Sequence, residues 1–228
     1  YCDIEIYQGY DDQHSVDNQV TSNDIEAANN LFAMIGRYDP NESRRILNSP
    51  NISVLLGRVG YSDLSTMSDA EWSSEKENIR LLLKEWLSIP GIGLAKAAKI
   101  IHLKRPKVFP ILDSYVIKFL TGINVADIFD KTRILEVGMN ALETSRSIIL
   151  QNRDAFSKLQ QRLSDLPIPL TTVRLLDILC WTTEKWEIRG NRKAAYGIAS
   201  KSLRTDESKP SVDISSGVKE FSYWMNVD

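Results

Sequence analysis

Trp86-Leu87-Ser88-Ile89-Pro90-Gly91-Ile92-Gly93-Leu94-Ala95-Lys96-Ala97-Ala98-Lys99-Ile100-Ile101 is the stretch that decides how this chain reads. Just upstream, Ile79, Leu82, Leu83, Trp86 and Leu87 recur at alternating three- and four-residue steps, the stripe of an amphipathic helix. Pro90 forces that helix to stop. Residues 94 to 103 read as the next helix, so Pro-Gly-Ile-Gly joins the two. Glycines at 91 and 93 permit a tight hairpin whose backbone another chain can approach closely. Ile92 is expected to plug the space between the helices and Ala97 to let them pack. The Gly93 and Leu94 amides then fall at the start of the second helix, where unsatisfied N–H groups and the helix dipole favour an anion such as a phosphate oxygen.

Downstream, Phe109-Pro110-Ile111-Leu112-Asp113-Ser114-Tyr115-Val116 sets Asp113 at the N-cap of a helix over 114–121 that Gly122 closes. Hairpin and aspartate together resemble the helix-hairpin-helix DNA glycosylase superfamily, the group that includes endonuclease III. There a similar hairpin leads, at matching spacing, to a Pro-hydrophobic-hydrophobic-Asp-Thr-His-Val segment. The resemblance covers Leu82 to Leu120. Val20-Thr21-Ser22-Asn23-Asp24-Ile25 and Thr172-Val173-Arg174-Leu175-Leu176-Asp177 also resemble segments of an uncharacterised bacterial protein group with the same hairpin.

The resemblance implies a two-lobed all-α fold, with residues 20–112 in a lobe that ends in the hairpin and residues 1–19 plus 113–228 in the second. It implies a hairpin that grips duplex DNA by its phosphates without reading sequence, and Asp113 as the carboxylate that stabilises an oxocarbenium-like sugar during base excision. Phosphate contacts are expected from Gly91, Gly93, Leu94, Lys96, Lys99, Lys104, Arg105 and Lys107. Bifunctional members carry a lysine nucleophile where this chain has Ala95, so the implied glycosylase is monofunctional. The His that often follows the aspartate is Tyr115 here, and the Cys ligands of cluster-bearing members are missing. No wedge side chain for an extruded base can be assigned.

Composition bounds these readings. At 43% hydrophobic and 25% charged the chain folds and is neither disordered nor fibrous. Lys+Arg 28 against Asp+Glu 30 gives a net charge of −2, so no global positive field draws nucleic acid and any such contact must be local. Charge is uneven: residues 1 to 36 hold acids and no Lys or Arg, whereas from Lys96 to Lys118 the bases face only Asp113. A second basic group comprises Lys185, Arg189, Arg192, Lys193, Lys201 and Arg204. Cys2 and Cys180 form no CxxC pair, and His14 and His102 lack zinc spacing, so no Cys-ligated cluster, structural zinc or other cofactor is expected, and a reducing compartment is. No apolar run approaches the roughly 18 residues that span a bilayer, and no signal peptide opens the chain, so a cytoplasmic protein with no membrane partner is expected. His102 is expected at the surface beside its basic neighbours. Trp72, Trp86, Trp181, Trp186 and Trp224 are expected in the core.

The remaining periodicity is helical. Asn23 and Glu26 read as a capping box, with Ile25, Ala28, Leu31, Phe32 and Ile35 on one face until Gly36; Ser68 and Glu71 read as a second. Further helical patterns run over 131–142, 152–163 and 173–186, against short alternations at 3–7 and 212–214. The class is all-α. Three functions stay open: a DNA glycosylase-like enzyme using Asp113, a non-catalytic hairpin protein that binds DNA, and a helical interaction protein whose hairpin no longer touches DNA. Acidic side chains over the hairpin mouth would speak for the third.

Overall fold

The computed structural model describes residues 9–13, 17–164 and 169–188. Across them the chain is all-α: α1 (Ser22–Asn30), α2 (Asn41–Leu47), α3 (Pro50–Leu56), α4 (Asp69–Ser88), α5 (Leu94–Lys104), α6 (Ser114–Thr121), a 3-10 turn (Val125–Asp127), α7 (Lys131–Gln151), α8 (Arg153–Arg162) and α9 (Thr172–Ile188). The alternations at 3–7 and 212–214, and the basic residues from Arg189 to Arg204, lie outside the described residues. No described helix is long and apolar enough to cross a membrane.

Local chemistry sets most of the boundaries. Ser68 caps α4 as expected: its hydroxyl accepts the Glu71 amide at 3.3 Å while the Glu71 carboxylate accepts the Ser68 amide at 2.8 Å. The box on α1 lies two residues earlier than the sequence pattern placed it, with Thr21 as cap and Asp24 as its partner. Nor does α1 continue to Gly36. The Asn29 side chain donates to the Ile35 carbonyl at 3.1 Å and accepts its amide at 2.7 Å, which folds residues 31–36 into a loop with Phe32 and Met34 at φ of 60° and 57°. The short helices α2 and α3 were not legible, because each offers too few turns to show a period. Conversely, α7 runs past 142 since Ser145, Ile148 and Ile149 prolong its buried face.

The long helices α4 and α7 form the frame. They are clamped at one edge by Trp72 Nε1 and Lys76 Nζ on Glu143, at 2.9 and 2.6 Å, and further along by Arg80 on Glu136. Against this frame pack α5 and α6, and α9 covers α6, with Tyr115 edge-on to Trp181 at 6.1 Å. Gly138 in α7 is where α5 enters: a Cβ there would stand 2.9 Å from a Leu94 methyl. One hydrophobic cluster runs from Val20 to Cys180 and includes Leu112 and Val116, on either side of the boundary expected at 112/113. Of the tryptophans, Trp72 and Trp86 are buried in it.

Candidate functional site at the hairpin

Between α4 and α5 the chain turns within five residues. The Ile92 amide donates to the Ile89 carbonyl at 3.1 Å, closing a turn with Pro90 second and Gly91 third. Gly91 has a φ of +84°, the left-handed value that a type II turn demands at that place. Ile92 and Leu94 are buried on either side of Gly93, so the turn is pinned to the core at both positions. Gly93 is the N-cap of α5, with φ −105° and ψ 175°, and no side chain caps this helix. Among the described residues no protein acceptor meets the Gly93 or Leu94 amide. The start of α5 therefore presents donors and a positive dipole end on an exposed glycine.

The basic residues expected to surround this point do not form a surface patch. Lys99 is buried, and its Nζ donates to the Leu31 carbonyl at 2.6 Å. Lys104 is fully buried between Asp24, at 2.9 Å, and Asp17, at 3.0 Å. Arg105 is buried as well, donating to the Val59 carbonyl at 2.7 Å and to the Leu56 and Lys104 carbonyls, with its guanidinium 4.1 Å from the centre of the Tyr61 ring. These three side chains serve packing and are not on the surface to meet a phosphate. The reason is geometric: from Ala97 to Lys104 every residue of α5 is buried, and Arg105, which follows its last turn, is buried too, so this stretch keeps no outward stripe for its cations. Lys107 is exposed, and Lys96 is half-buried at the hairpin itself.

Lys96 is not alone. Its Nζ donates to both Glu42 carboxylate oxygens, at 2.8 and 2.7 Å, and to the Gly91 carbonyl at 3.1 Å. Glu42 comes from the first turn of α2, and its Oε2 also accepts the Gly36 amide at 2.9 Å. Arg45, one turn on, donates to the Pro90 carbonyl at 3.1 Å. An acidic residue thus lies against the hairpin, the feature named above as speaking for a helical interaction protein; it packs on Gly91 and leaves Gly93 uncovered, with nothing within 4 Å of where a Cβ would stand.

Asp113 caps α6 as expected: one oxygen, Oδ1, accepts the Tyr115 and Val116 amides, both at 2.9 Å. The carboxylate is half-buried. Burial pushes its pKa up from the ordinary aspartate value, opposed by the Val116 amide and by the charge of Lys99. Lys99 responds in kind, burial lowering its pKa against the field of Asp113. The segment that carries Asp113 is held from behind. Asp177 on α9 accepts the Ile111 amide at 3.1 Å and Arg174 Nη1 at 2.7 Å, while Arg174 Nε reaches Asp11 at 2.9 Å. Tyr10 joins this buried group, donating to the Lys99 carbonyl at 2.5 Å and stacking on His102 at 6.0 Å between ring centres. His102 is fully buried, its Nδ1 2.6 Å from the Phe109 carbonyl, so the surface position expected for it is wrong: it sits on the same inner face of α5 as Lys99.

Sequence reasoning missed Glu42, Asp11, Arg174 and Asp177. A signal existed for the last two, since Arg and Asp three residues apart inside an apolar run are expected to pair when buried. Phe32, expected on the inner face of the first helix, lies beyond its end and is 65% exposed on the loop whose Leu31 carbonyl holds Lys99. Among the described residues no group of three or more His, Cys, Asp or Glu is arranged to hold a metal ion.

A family model, described as a family of unknown function and designated DUF6308, matches residues 3–184, most of the chain, and the chain belongs to that family. No curated protein and no solved structure matches it.

Proposed function

We propose that this member of a family without an assigned activity binds the phosphate backbone of duplex DNA without sequence preference, through the Ile89–Gly93 hairpin and the start of α5. The observation that carries the reading is the uncapped α5 N-terminus. Gly93 has an ordinary extended conformation that any residue could adopt, with nothing within 4 Å of where a Cβ would stand, yet it offers no cap. A helix left open where a side-chain cap would fit is one suited to take its acceptor from another molecule. The contact is small. With Lys99, Lys104 and Arg105 buried, Lys96 paired and Lys107 beyond the opposite, C-terminal end of α5, the helix N-terminus alone carries the positive field at the hairpin, so binding is weak and its salt dependence shallow, a log–log slope of about −1 for one phosphate.

Gly93→Asp tests this. The new carboxylate accepts the Ala95 and Lys96 amides itself, so the variant gains up to about 1 kcal/mol of stability in denaturant melts. In the same variant the phosphate site is filled and made negative, so duplex affinity at low salt falls at least about tenfold. A Gly93→Asp protein that binds duplex as the parent does removes the hairpin from the binding reading.

A second reading, monofunctional base excision, is favoured by one observation: Asp113 spends only Oδ1 on the helix cap, which leaves Oδ2 for a developing sugar cation. Ala95 supplies no amine, so borohydride traps no covalent protein–DNA adduct during any such reaction. A panel of duplexes with alkylated, oxidised, deaminated and mismatched bases, all left intact, leaves the binding function standing without the enzyme.

A further inference from the structure

Glu42 is a charged residue in the first turn of a short helix, yet it is only 4% exposed. Its burial is accounted for by its partners: Lys96 Nζ reaches both oxygens, and the Gly36 amide supplies a third hydrogen bond. A Cβ on Gly91 would stand 3.0 Å from the Glu42 Cδ and closer still to Oε1, so the left-handed glycine is also the one residue that leaves room for this carboxylate. Lys96 lies in the first turn of α5, beside the uncapped amides, and its side chain keeps 19% of its surface in solvent. The lysine best placed to assist a phosphate at that helix end therefore comes with its own counter-charge.

We infer that Glu42 is a charge latch on the hairpin: it neutralises Lys96 in the free protein and competes with nucleic-acid phosphate for that ammonium, holding the site at low affinity. This inference rests on the phosphate-binding reading above. A lysine ammonium is a mobile point charge with three donors, so it can pass from carboxylate to phosphate by rotating its stem while α2 stays docked. Whichever anion Lys96 faces, the Lys96–Glu42 unit stays net neutral, and binding gains no counterion release from it. Removing only the Glu42 charge unlatches the lysine. Gln at 42 keeps an acceptor for the Gly36 amide and nearly the same volume, and Lys96 then counts as one more phosphate contact.

The test is a salt series with a short duplex DNA of unmodified sequence. Glu42→Gln is expected to bind tighter than the parent at 50 mM salt, with a log–log slope more negative by about 0.9, so that between 50 and 200 mM it loses about threefold more affinity than the parent does. Glu42→Gln combined with Lys96→Met is expected to return to the parental slope. Equal slopes in parent and Glu42→Gln overturn the latch while leaving hairpin binding in place. No binding by either protein at low salt overturns the backbone-binding reading and the latch with it. Should Glu42→Gln not fold, Lys96→Met alone decides: with Glu42 left unpaired beside the site it binds more weakly than the parent, and parental affinity in that variant overturns the latch.

Discussion

At residue scale the two hairpin glycines look alike in sequence and differ in what they require. Gly91 sits at φ +84° with the Glu42 carboxylate packed where a Cβ would go, so Gly91→Ala meets both backbone strain and overlap. It is expected to lose at least about 1 kcal/mol in chemical denaturation. Gly93, extended and unobstructed, accepts Ser with a change under about 0.5 kcal/mol in the same assay. Asp113 can be dissected the same way. Asp113→Ala gives up the cap on α6 and costs on the order of 1 kcal/mol. Asp113→Asn keeps the capping oxygen and changes stability by less, so any large loss of a base-excision rate in that variant reports on the charge. A rate that survives Asp113→Asn removes Asp113 from the chemistry.

At the scale of elements, α5 shows how sequence can be right about a helix and wrong about its outer face. Its limits, its glycine start and the packing of Ala97 were all readable from propensity and breakers. The direction of its lysines was not, because a run of Lys99, Lys104 and Arg105 between apolar residues reads equally as a solvated stripe or as cations turned inward to carbonyls and acids. What decides is the set of partners, Asp17 and Asp24 ahead of and within α1 and the Leu56 and Val59 carbonyls after α3, all distant in the chain. The same limit hid Glu42, whose reason to be buried lies on the hairpin. Lys104→Met isolates the consequence. Asp24 is then left buried without its ammonium, and a cost on the order of 3 kcal/mol is expected. Duplex affinity per folded molecule should be unchanged, because Lys104 never faces the solvent; a weaker complex from a fully folded Lys104→Met protein would put that side chain back in the interface.

At the scale of the whole molecule, the group around Arg174 ties together parts of the chain that are remote in sequence: Asp11 from the N-terminal segment, Asp177 from α9 and the Ile111 amide two residues before Asp113. Two carboxylates share one guanidinium there, which leaves an excess negative charge where water is excluded. Desolvation, only partly offset by Arg174, raises the pKa of Asp177 to about 7. The sign of the consequence follows from proton linkage. In the unfolded chain Asp177 loses its proton near the ordinary aspartate value of about 4, whereas in the folded protein it keeps the proton to about pH 7. Between those limits the folded state binds more protons, so this group's contribution to stability is fully present below about pH 4, declines as pH rises and is gone above about pH 7. One proton can supply a slope of at most about 1.4 kcal/mol per pH unit. Asp177→Asn stays neutral throughout and removes that slope. Urea melts at pH 5 and pH 8 should therefore show the parent losing more stability across the interval than Asp177→Asn does. Parallel losses in the two proteins would mean that Asp177 is ionised across the whole interval and that Arg174 satisfies both carboxylates at once.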